Sequence, residues 1–590
     1  MRISPKELTR REFLMFSGTA IAALAAGCGR RTAQSTIRTL QPLPTISPQA
    51  VPTFLPPTRP PTPEGVADMI LKNGHAYTLD ATDSIAQAIA VKDGLILAVG
   101  QDDVIGAMAG ESTQVIDLGG QSVTPGLIDP HVHFWSIGMI GPFYAPFFPP
   151  EVTTIAELQT RLKESLSVKT KGEWLVGFYQ VFKDGKLPDR HDLDKVSPEN
   201  PVFIMHQGGH YGSANSLALQ MAGITADTPS PPGGIIEKDS KGEPTGIFYN
   251  HRAMDMLRRV IPKYTKEMIM DSLMSTQALM AGYGVTSFQD NNVRDPDALS
   301  VYQQAAKEGK MYMRSVLYKT MEWPADLEWV NKIEYYSDDY SRVGGFKFLI
   351  DGQASTAYTH EPHEGASWDM PTWDPKQFKE AIRVLHETGL QICVHCAGDA
   401  AVDLTLDAYE EAMNAYPRPD PRHRLEHAVM TTPESTQRIK DLGVVIQANP
   451  TFIRISGDRW KDGFSKKQME RIMVTREWLE AGIPLAIGSD APTVPWYRPQ
   501  DTMSEAIMRL TISDQVLLPD QVMTSLEALR AHTIGAAYAA HEENIKGTIE
   551  PGKLADFVVW NGDPLAVEAE DMYNMQLAMT IVGGKVVYQD

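Results

Sequence analysis

The sequence predicts an α/β protein built around a (β/α)8 TIM barrel, with a small β-sandwich domain made from both chain ends and a large insertion after the first barrel strand. Three observations predict this fold class. Short apolar segments ending in polar residues alternate with amphipathic helical segments through the middle of the chain. Segments with alternating polarity and Asn-Gly or Asp-Gly turns lie near both ends. About 150 residues separate the first two strand patterns of the middle region.

Residues 1–28 are typical of an export signal. The segment TRREFL, residues 9–14, resembles a twin-arginine signal, and about 14 apolar residues follow, fewer than the roughly 20 that a membrane-spanning helix needs. The stretch ends in LAAGC, which resembles a lipobox at Cys28, although Leu24 lies four residues before the cysteine instead of three. We expect export by the twin-arginine route to an extracytoplasmic location, with lipidation of Cys28 anchoring the mature chain to the membrane. The alternative is a plain N-terminal membrane anchor.

Residues 29–65 are predicted to be a proline-rich linker. Proline recurs every few residues in TISPQAVPTFLPPTRPPTPEG, with threonine and serine between. Because proline lacks a backbone donor and interrupts helices and sheets, the segment is expected to be an extended tether.

The β-sandwich domain is predicted to combine residues 66–122 with residues 545–590. MILKNGHAYTLD and AIAVKDGLILAVG alternate apolar and polar residues near the start, and MTIVGGKVVYQD does so at the end. Residues 123–544 are then predicted to be the metal-binding TIM barrel, with an insertion at 135–283 that covers the active site. Eight segments fit the barrel strands: 123–134, 284–291, 311–319, 344–352, 390–399, 422–428, 444–450 and 484–492.

Composition excludes two classes. A net charge of −20 and a pI near 5.2 argue against a nucleic-acid-binding surface, which needs a basic footprint. Three cysteines in 590 residues cannot provide a disulfide framework. Composition is compatible with either a monomer or an oligomer.

Polar residues lie at the carboxyl ends of several predicted barrel strands, where TIM barrels place their active sites. His131 and His133 end the first strand, and period-two geometry turns both toward the barrel axis, so that both can bind one metal ion. The other strand ends contribute Lys347, His395, His427 and Asp490. Any one histidine is more often structural, but the joint placement indicates a metal site.

The motifs around these residues resemble a known family. GLIDPHVHF, FKFLIDG, VHCAGDAAVD, RLEHA, AIGSDAP and the tail HTIGAAYAAHEENIKGTIEPGKLADFVVWNGDPL resemble the amidohydrolase-3 branch of the metal-dependent amidohydrolase superfamily, over about residues 66–590. The resemblance implies one or two divalent metal ions, with zinc expected, and a carbamylated Lys347 that bridges them. The ligands it implies are His131, His133, His395, His427 and Asp490, together with Lys347.

The expected reaction is hydrolysis of a non-peptide C–N bond in a small molecule. A divalent metal lowers the pKa of bound water from about 15.7 to about 7 and polarises a carbonyl. Asp490, Lys347 and His427 are the expected catalytic residues, with Asp490 taking the proton from water and delivering it to the leaving nitrogen. Ester hydrolysis or isomerisation on the same barrel is an alternative, and a non-enzymatic solute-binding lipoprotein is another.

Three further residues are expected to contact the substrate. His210 lies beside glycines in HQGGHYGSANSLAL, where the other interpretation is a turn-capping histidine and where Asn215 is predicted to cap a helix. Asp351 lies at the mouth after the fourth strand, where it contacts substrate or orients Lys347. His363 lies in the following loop, where surface histidines are common.

Overall fold

Eight parallel strands form the central sheet, in the order in which they occur along the chain. This computed structural model describes residues 56–590 except 149–150, 181, 183–185, 207, 232, 322–329, 331–334, 353–355 and 363–369. The predicted signal at 1–28 with Cys28, most of the linker at 29–65, and His363 therefore lie outside the described residues. The strands are Leu127–Val132, Val285–Val293, Arg314–Thr320, Ser341–Leu349, Gln391–Cys396, Arg424–His427, Val445–Ala448 and Leu485–Ile487.

The first and eighth strands meet where they end. The Asp490 N–H donates to the His131 carbonyl at 2.8 Å, and the His133 N–H donates to the Ala491 carbonyl at 2.8 Å. These bonds close the ring at its carboxyl edge, which is the edge that carries the predicted metal ligands. The barrel prediction is confirmed, and each of the eight predicted segments overlaps one barrel strand.

Helices connect the strands on the outside of the barrel. Three begin in the same way: Asp295, Asp374 and Thr432 each accept a backbone N–H of the first turn, and each precedes a proline at the first helical position. The helices after the second strand are Pro296–Lys307, Pro375–His386, Asp399–Ala415, Pro433–Asp441, Thr451–Gly463, Lys466–Met469, Thr475–Glu480, Pro499–Met508, Ser525–Ala531 and Ile534–Tyr538. Among the described residues, no helix combines the length and the apolar character that crossing a membrane requires.

Strands from both ends of the chain form two further sheets. One contains Met69–Lys72, Ala88–Lys92, Leu95–Gly100 and Gln114–Asp117, and the other contains His75–Tyr77, Ile85–Ala86, Ser122–Pro125, Phe557–Trp560, Leu577–Val582 and Lys585–Gln589. Leu71 and Ile89 of the first sheet share one buried core with Phe557 and Ile581 of the second. Short helices at Asp102–Gly106 and Ala569–Met572 accompany them. Because Ser122–Pro125 pairs within this β-rich region, the barrel begins after Pro125 and not at residue 123.

The segment after the first barrel strand carries its own mixed sheet. Its strands are Ala145–Phe147, Leu175–Tyr179, Val202–His206, Tyr211–Ala214, Ile235–Lys238 and Pro244–Tyr249, and its helices are Phe134–Met139, Ile155–Leu166, Arg190–Asp194, Ser216–Met221 and Asn250–Arg258. A separate buried cluster that includes Leu158, Leu175 and Ile204 forms its core. Asn215 caps the helix Ser216–Met221 as predicted, with its side chain accepting the Ala218 N–H at 3.0 Å.

The last part of the predicted insertion, however, belongs to the barrel. The helix Lys266–Ala281 packs against the second barrel strand and against the helix Pro296–Lys307. Two parallel neighbouring strands need a crossover connection, usually a helix, and this one supplies it. The inserted sheet therefore occupies only the residues before it.

Candidate metal centre and substrate cavity

The first and eighth barrel strands bring two imidazoles and one carboxylate together. Oδ1 of Asp490 lies 3.3 Å from Nε2 of His131 and 3.0 Å from Nε2 of His133. Asp490 adopts a left-handed backbone conformation, φ +57°, and its Oδ2 accepts the Thr493 hydroxyl at 2.7 Å. Three ligand atoms thus lie within 4.8 Å of one another.

This donor set fits a divalent cation. Neutral imidazole nitrogens with carboxylate oxygens are ligands that zinc and other first-row metals take. His131 and Asp490 are buried, and His133 is 17% exposed toward the cavity. Burial opposes ionisation of Asp490, but hydrogen bonds from the two histidines hold the pKa of Asp490 well below its usual range. The carboxylate is therefore an anion that can ligate.

A buried ion pair fixes the orientation of His131. Nδ1 of His131 is hydrogen-bonded to the carboxylate of Glu426, which fixes the ring so that Nε2 faces Asp490 across the candidate metal position. Arg424 donates to both oxygens of Glu426, from Nε at 2.7 Å and from Nη2 at 2.9 Å, and also to the Pro130 carbonyl at 2.8 Å. Burial alone would raise the pKa of Glu426, but Arg424 and His131 hold this pKa well below its usual range.

Sequence reasoning missed this pair. RLEHA was recognised only for its histidine, although Arg424 and Glu426 lie two residues apart on one face of a buried strand. Two opposite charges with that spacing in an otherwise buried strand are a signal that points to an internal ion pair.

A second pair of imidazoles lies beside the first. The ring centroids of His427 and His131 are 4.7 Å apart, and those of His427 and His395 are 4.5 Å apart. Nδ1 of His427 lies 2.7 Å from Oδ1 of Asn449, whose amide nitrogen donates to the Gly488 carbonyl at 2.9 Å. The Asn449 oxygen is therefore the acceptor, and His427 keeps a lone pair on Nε2.

His395 completes this second pair. Its Nε2 is buried and has no hydrogen-bond partner among the described residues, with Asp351 Oδ1 3.6 Å away. Burial lowers the pKa of His395 and of His427 well below the usual histidine value, and nearby Lys347 adds to this effect, so both rings are neutral. A buried, unpartnered ring nitrogen in a cluster of imidazoles fits a metal ligand.

Lys347 of the fourth strand borders the same cavity and is 2% exposed. Burial lowers the pKa of Lys347, while the carboxylates of Glu426 and Asp490 oppose that effect. All six predicted metal ligands line one cavity of about 380 Å³.

The three residues predicted to contact the substrate lie in different places. His210 lies in the cavity wall, is buried, and has an Nδ1 without a hydrogen-bond partner among the described residues. Its ring is 5.7 Å from that of His395, and burial lowers the pKa of His210 to about 4. Asp351 borders a smaller adjoining cavity. His363 lies outside the described residues.

Asp351 is engaged with the backbone. Its carboxylate accepts the N–H groups of Ala397 at 3.0 Å, Gly398 at 2.8 Å and Tyr358 at 3.0 Å. Burial raises the pKa of Asp351 to about 7. These bonds fix the turn that follows His395, so the structure places Asp351 beside a metal ligand and not on the main cavity.

Comparisons with known proteins agree with this site. The model of the amidohydrolase family matches residues 114–588. The protein LONG AFTER FAR-RED 3 of Arabidopsis thaliana is 30% identical over 89% of this chain and 92% of its own length. The N-substituted formamide deformylase of Arthrobacter pascens is 29% identical over 88% and 98%. The crystal structure of an uncharacterized metal-dependent hydrolase from Pyrococcus furiosus superimposes with a TM-score of 0.66 and 26% identity, covering 84% of this chain and 99% of that chain.

The family match covers the whole barrel, the C-terminal β region and the last part of the N-terminal β region, and it includes every candidate ligand. The family match is consistent with the site. The solved relative is a metal-dependent hydrolase, and the cavity of this chain holds a His-His-Asp group suited to a metal ion. The chain therefore belongs to the amidohydrolase family.

Proposed function

We propose that this protein hydrolyses a non-peptide C–N bond in a small-molecule amide. The observation that carries the proposal is the convergence of four imidazoles, Asp490 and Lys347 on one cavity of an amidohydrolase barrel. The relative from Arthrobacter pascens, an N-substituted formamide deformylase, supports an amide as the substrate.

His131, His133 and Asp490 would hold one divalent cation, and His395 and His427 would hold a second. Zinc is the proposed metal, since neutral imidazoles with oxygen ligands suit it. A divalent cation supplies Lewis acidity here, lowering the pKa of a coordinated water to about 7 and polarising a carbonyl.

Asp490 moves the proton. Its carboxylate faces the cavity and is steadied by the Thr493 hydroxyl at 2.7 Å. It takes a proton from the attacking water as the water oxygen forms a bond to the carbonyl carbon. It then gives that proton to the nitrogen as the C–N bond breaks, so that the products are a carboxylic acid and an amine.

We propose a carbamate on Lys347. The reaction of an amine with carbon dioxide requires the neutral amine, and burial lowers the pKa of Lys347 in that direction. The modified side chain would be an anion with two oxygens, suited to bridging two cations.

The proposed location is extracytoplasmic, reached by the twin-arginine route, with a lipid on Cys28 as the anchor. Support comes from the twin arginines, the apolar stretch and LAAGC in residues 1–28. Membrane fractionation of the wild type and of Cys28→Ala tests it. The wild type should sediment with membranes and the variant should be released, and equal release of both would overturn the anchor.

The function is tested by incubating the zinc-loaded protein with N-formyl and N-acetyl amines, lactams and matched esters. We expect amide hydrolysis that Asp490→Asn lowers by on the order of 10²- to 10⁴-fold. Turnover of the esters alone would replace the proposal with an esterase, and turnover of no compound would contradict it.

A further inference from the structure

Beyond the metal ligands, the described part of the cavity wall carries three positively charged side chains that have no role in the proposed hydrolysis. Arg258 ends the helix Asn250–Arg258, Arg294 follows the second barrel strand, and Lys263 is exposed near the rim. Apart from Asp490, one carboxylate lines this cavity among the described residues, that of Asp295. Asp295 is used as a helix cap, accepting the Asp297 N–H at 2.9 Å.

A row of side chains links this wall to the metal ligands. The His210 ring is 5.7 Å from that of His395, and the His251 ring is 5.7 Å from that of His210. Nη1 of Arg258 lies 3.4 Å from Nδ1 of His251. A small molecule that reaches the metal ligands can therefore touch Arg258 with its other end.

Arg258 is incompletely satisfied by its protein neighbours. Nη1 donates to Asp255 Oδ1 at 2.8 Å, but the partner of Nη2 is the thioether sulfur of Met205 at 3.4 Å. A thioether is a weak acceptor. The guanidinium thus presents an edge that a carboxylate can use far better, because Arg–carboxylate hydrogen bonds are charge-assisted and often bidentate.

Aromatic rings form another part of the wall of this cavity. Tyr144 packs edge-on against Phe178 at 4.8 Å and against Tyr264 at 5.7 Å, and Trp135 lies 5.7 Å from Tyr264. All four line the cavity. Such a wall favours an apolar or aromatic body over a polar one.

We propose that the substrate is an amide with a carboxylate at its far end, joined through an apolar or aromatic group, and that Arg258 is the residue that selects it. This rests on the proposed function and adds the substrate class. A monoanion suits the wall better than a dianionic phosphate, since Asp255 and Asp295 offset part of its positive charge.

The test compares two amides that differ only in a distal carboxylate: 4-(acetamidomethyl)benzoate, in which an aromatic ring separates the amide from the carboxylate, and N-benzylacetamide, each also as the N-formyl compound. We expect wild-type kcat/KM to favour the carboxylate by on the order of 10- to 100-fold, the range of a hydrogen-bonded charge. Arg258→Met should remove most of that ratio, and Arg258→Lys should restore part of it. Arg259→Met, the exposed neighbour, is the matched control and should leave the ratio unchanged.

The outcomes separate the two proposals. Equal wild-type rates on both amides, or faster turnover of the corresponding phosphonate, would overturn the carboxylate inference and leave the amide hydrolase standing. Turnover of neither amide, when other amides are also inert, would remove both. If Arg258→Met does not fold, as judged by its melting temperature, Arg258→Gln takes its place with the same expected loss of the ratio.

Discussion

Glu426 accepts a hydrogen bond from Nδ1 of His131 and thereby directs the other ring nitrogen at the candidate metal position. The contact joins the sixth barrel strand to the first inside the barrel. Since Arg424 holds Glu426 through two nitrogens, the orientation of a metal ligand depends on an ion pair that touches neither cation nor substrate.

Glu426→Gln should therefore weaken metal binding by about 10- to 100-fold, the usual range for partners of metal-ligating histidines. The amide keeps the shape of the side chain but removes the charge that favours a proton on Nδ1. Zinc affinity measured by competition with a chelator checks this, with the exposed Glu434→Gln as control. Unchanged affinity in Glu426→Gln would show that the ion pair is only structural.

Asp490→Asn should lower amide hydrolysis by on the order of 10²- to 10⁴-fold, because it removes the proton carrier. Thr493→Val leaves that carboxylate in place and loses only one hydrogen bond to it, so about 10-fold or less is expected. Steady-state kinetics with circular dichroism as a folding check compare the two. A near-normal rate for Asp490→Asn would rule out its role in proton transfer.

Lys347→Ala should lose the second metal equivalent and keep the first, since His131, His133 and Asp490 form a set without it. Elemental analysis of protein loaded with zinc in bicarbonate gives the stoichiometry. Two full equivalents in the variant would contradict a bridging carbamate.

Stability should fall as the solution becomes acidic, owing to a buried histidine pair. His423 Nδ1 accepts the Ile392 N–H at 3.1 Å, so its Nε2 carries the proton and donates to His386 Nδ1 at 2.8 Å; His386 Nε2 then donates to the Tyr416 carbonyl at 2.9 Å. Both rings are neutral in this arrangement. Burial lowers the pKa of both, that of His423 well below the usual value.

The direction of the pH dependence of stability follows from proton uptake by these histidines. The unfolded chain binds protons at these histidines below about pH 6.5, where the folded chain does not, so the stabilisation is complete above that pH and is lost as the pH falls below it. Urea unfolding at several pH values should show a shallower pH dependence for His423→Gln than for the wild type. The exposed His75→Gln serves as control and should match the wild type. Identical slopes for all three would exclude the pair as the cause.

Strand periodicity and polar strand ends were sufficient to predict the barrel and the strand-end side chains that line its cavity, because each is a local property of the sequence. His131 and His133 alternate with apolar residues at one strand end, and Asp490 follows another. Their meeting then follows from barrel topology alone.

Contacts between distant side chains could not be predicted in the same way. Glu426 and His131 lie 295 positions apart, and no local pattern pairs them. Arg258 lies on an ordinary amphipathic helix of the insertion, and its position in the cavity wall depends on how that helix packs. Asp351 was assigned to the substrate because it ends a strand, but its carboxylate is engaged by backbone N–H groups that only the folded turn brings to it.

The central claim is that these side chains hold divalent cations needed for hydrolysis, and metal content measured with activity tests it most directly. Purified protein should contain about one or two divalent ions per chain. Dialysis against a chelator should remove them and abolish amide hydrolysis while the protein stays folded, and added zinc should restore the activity. A folded, metal-free protein that hydrolyses the same amide at the full rate would contradict the account.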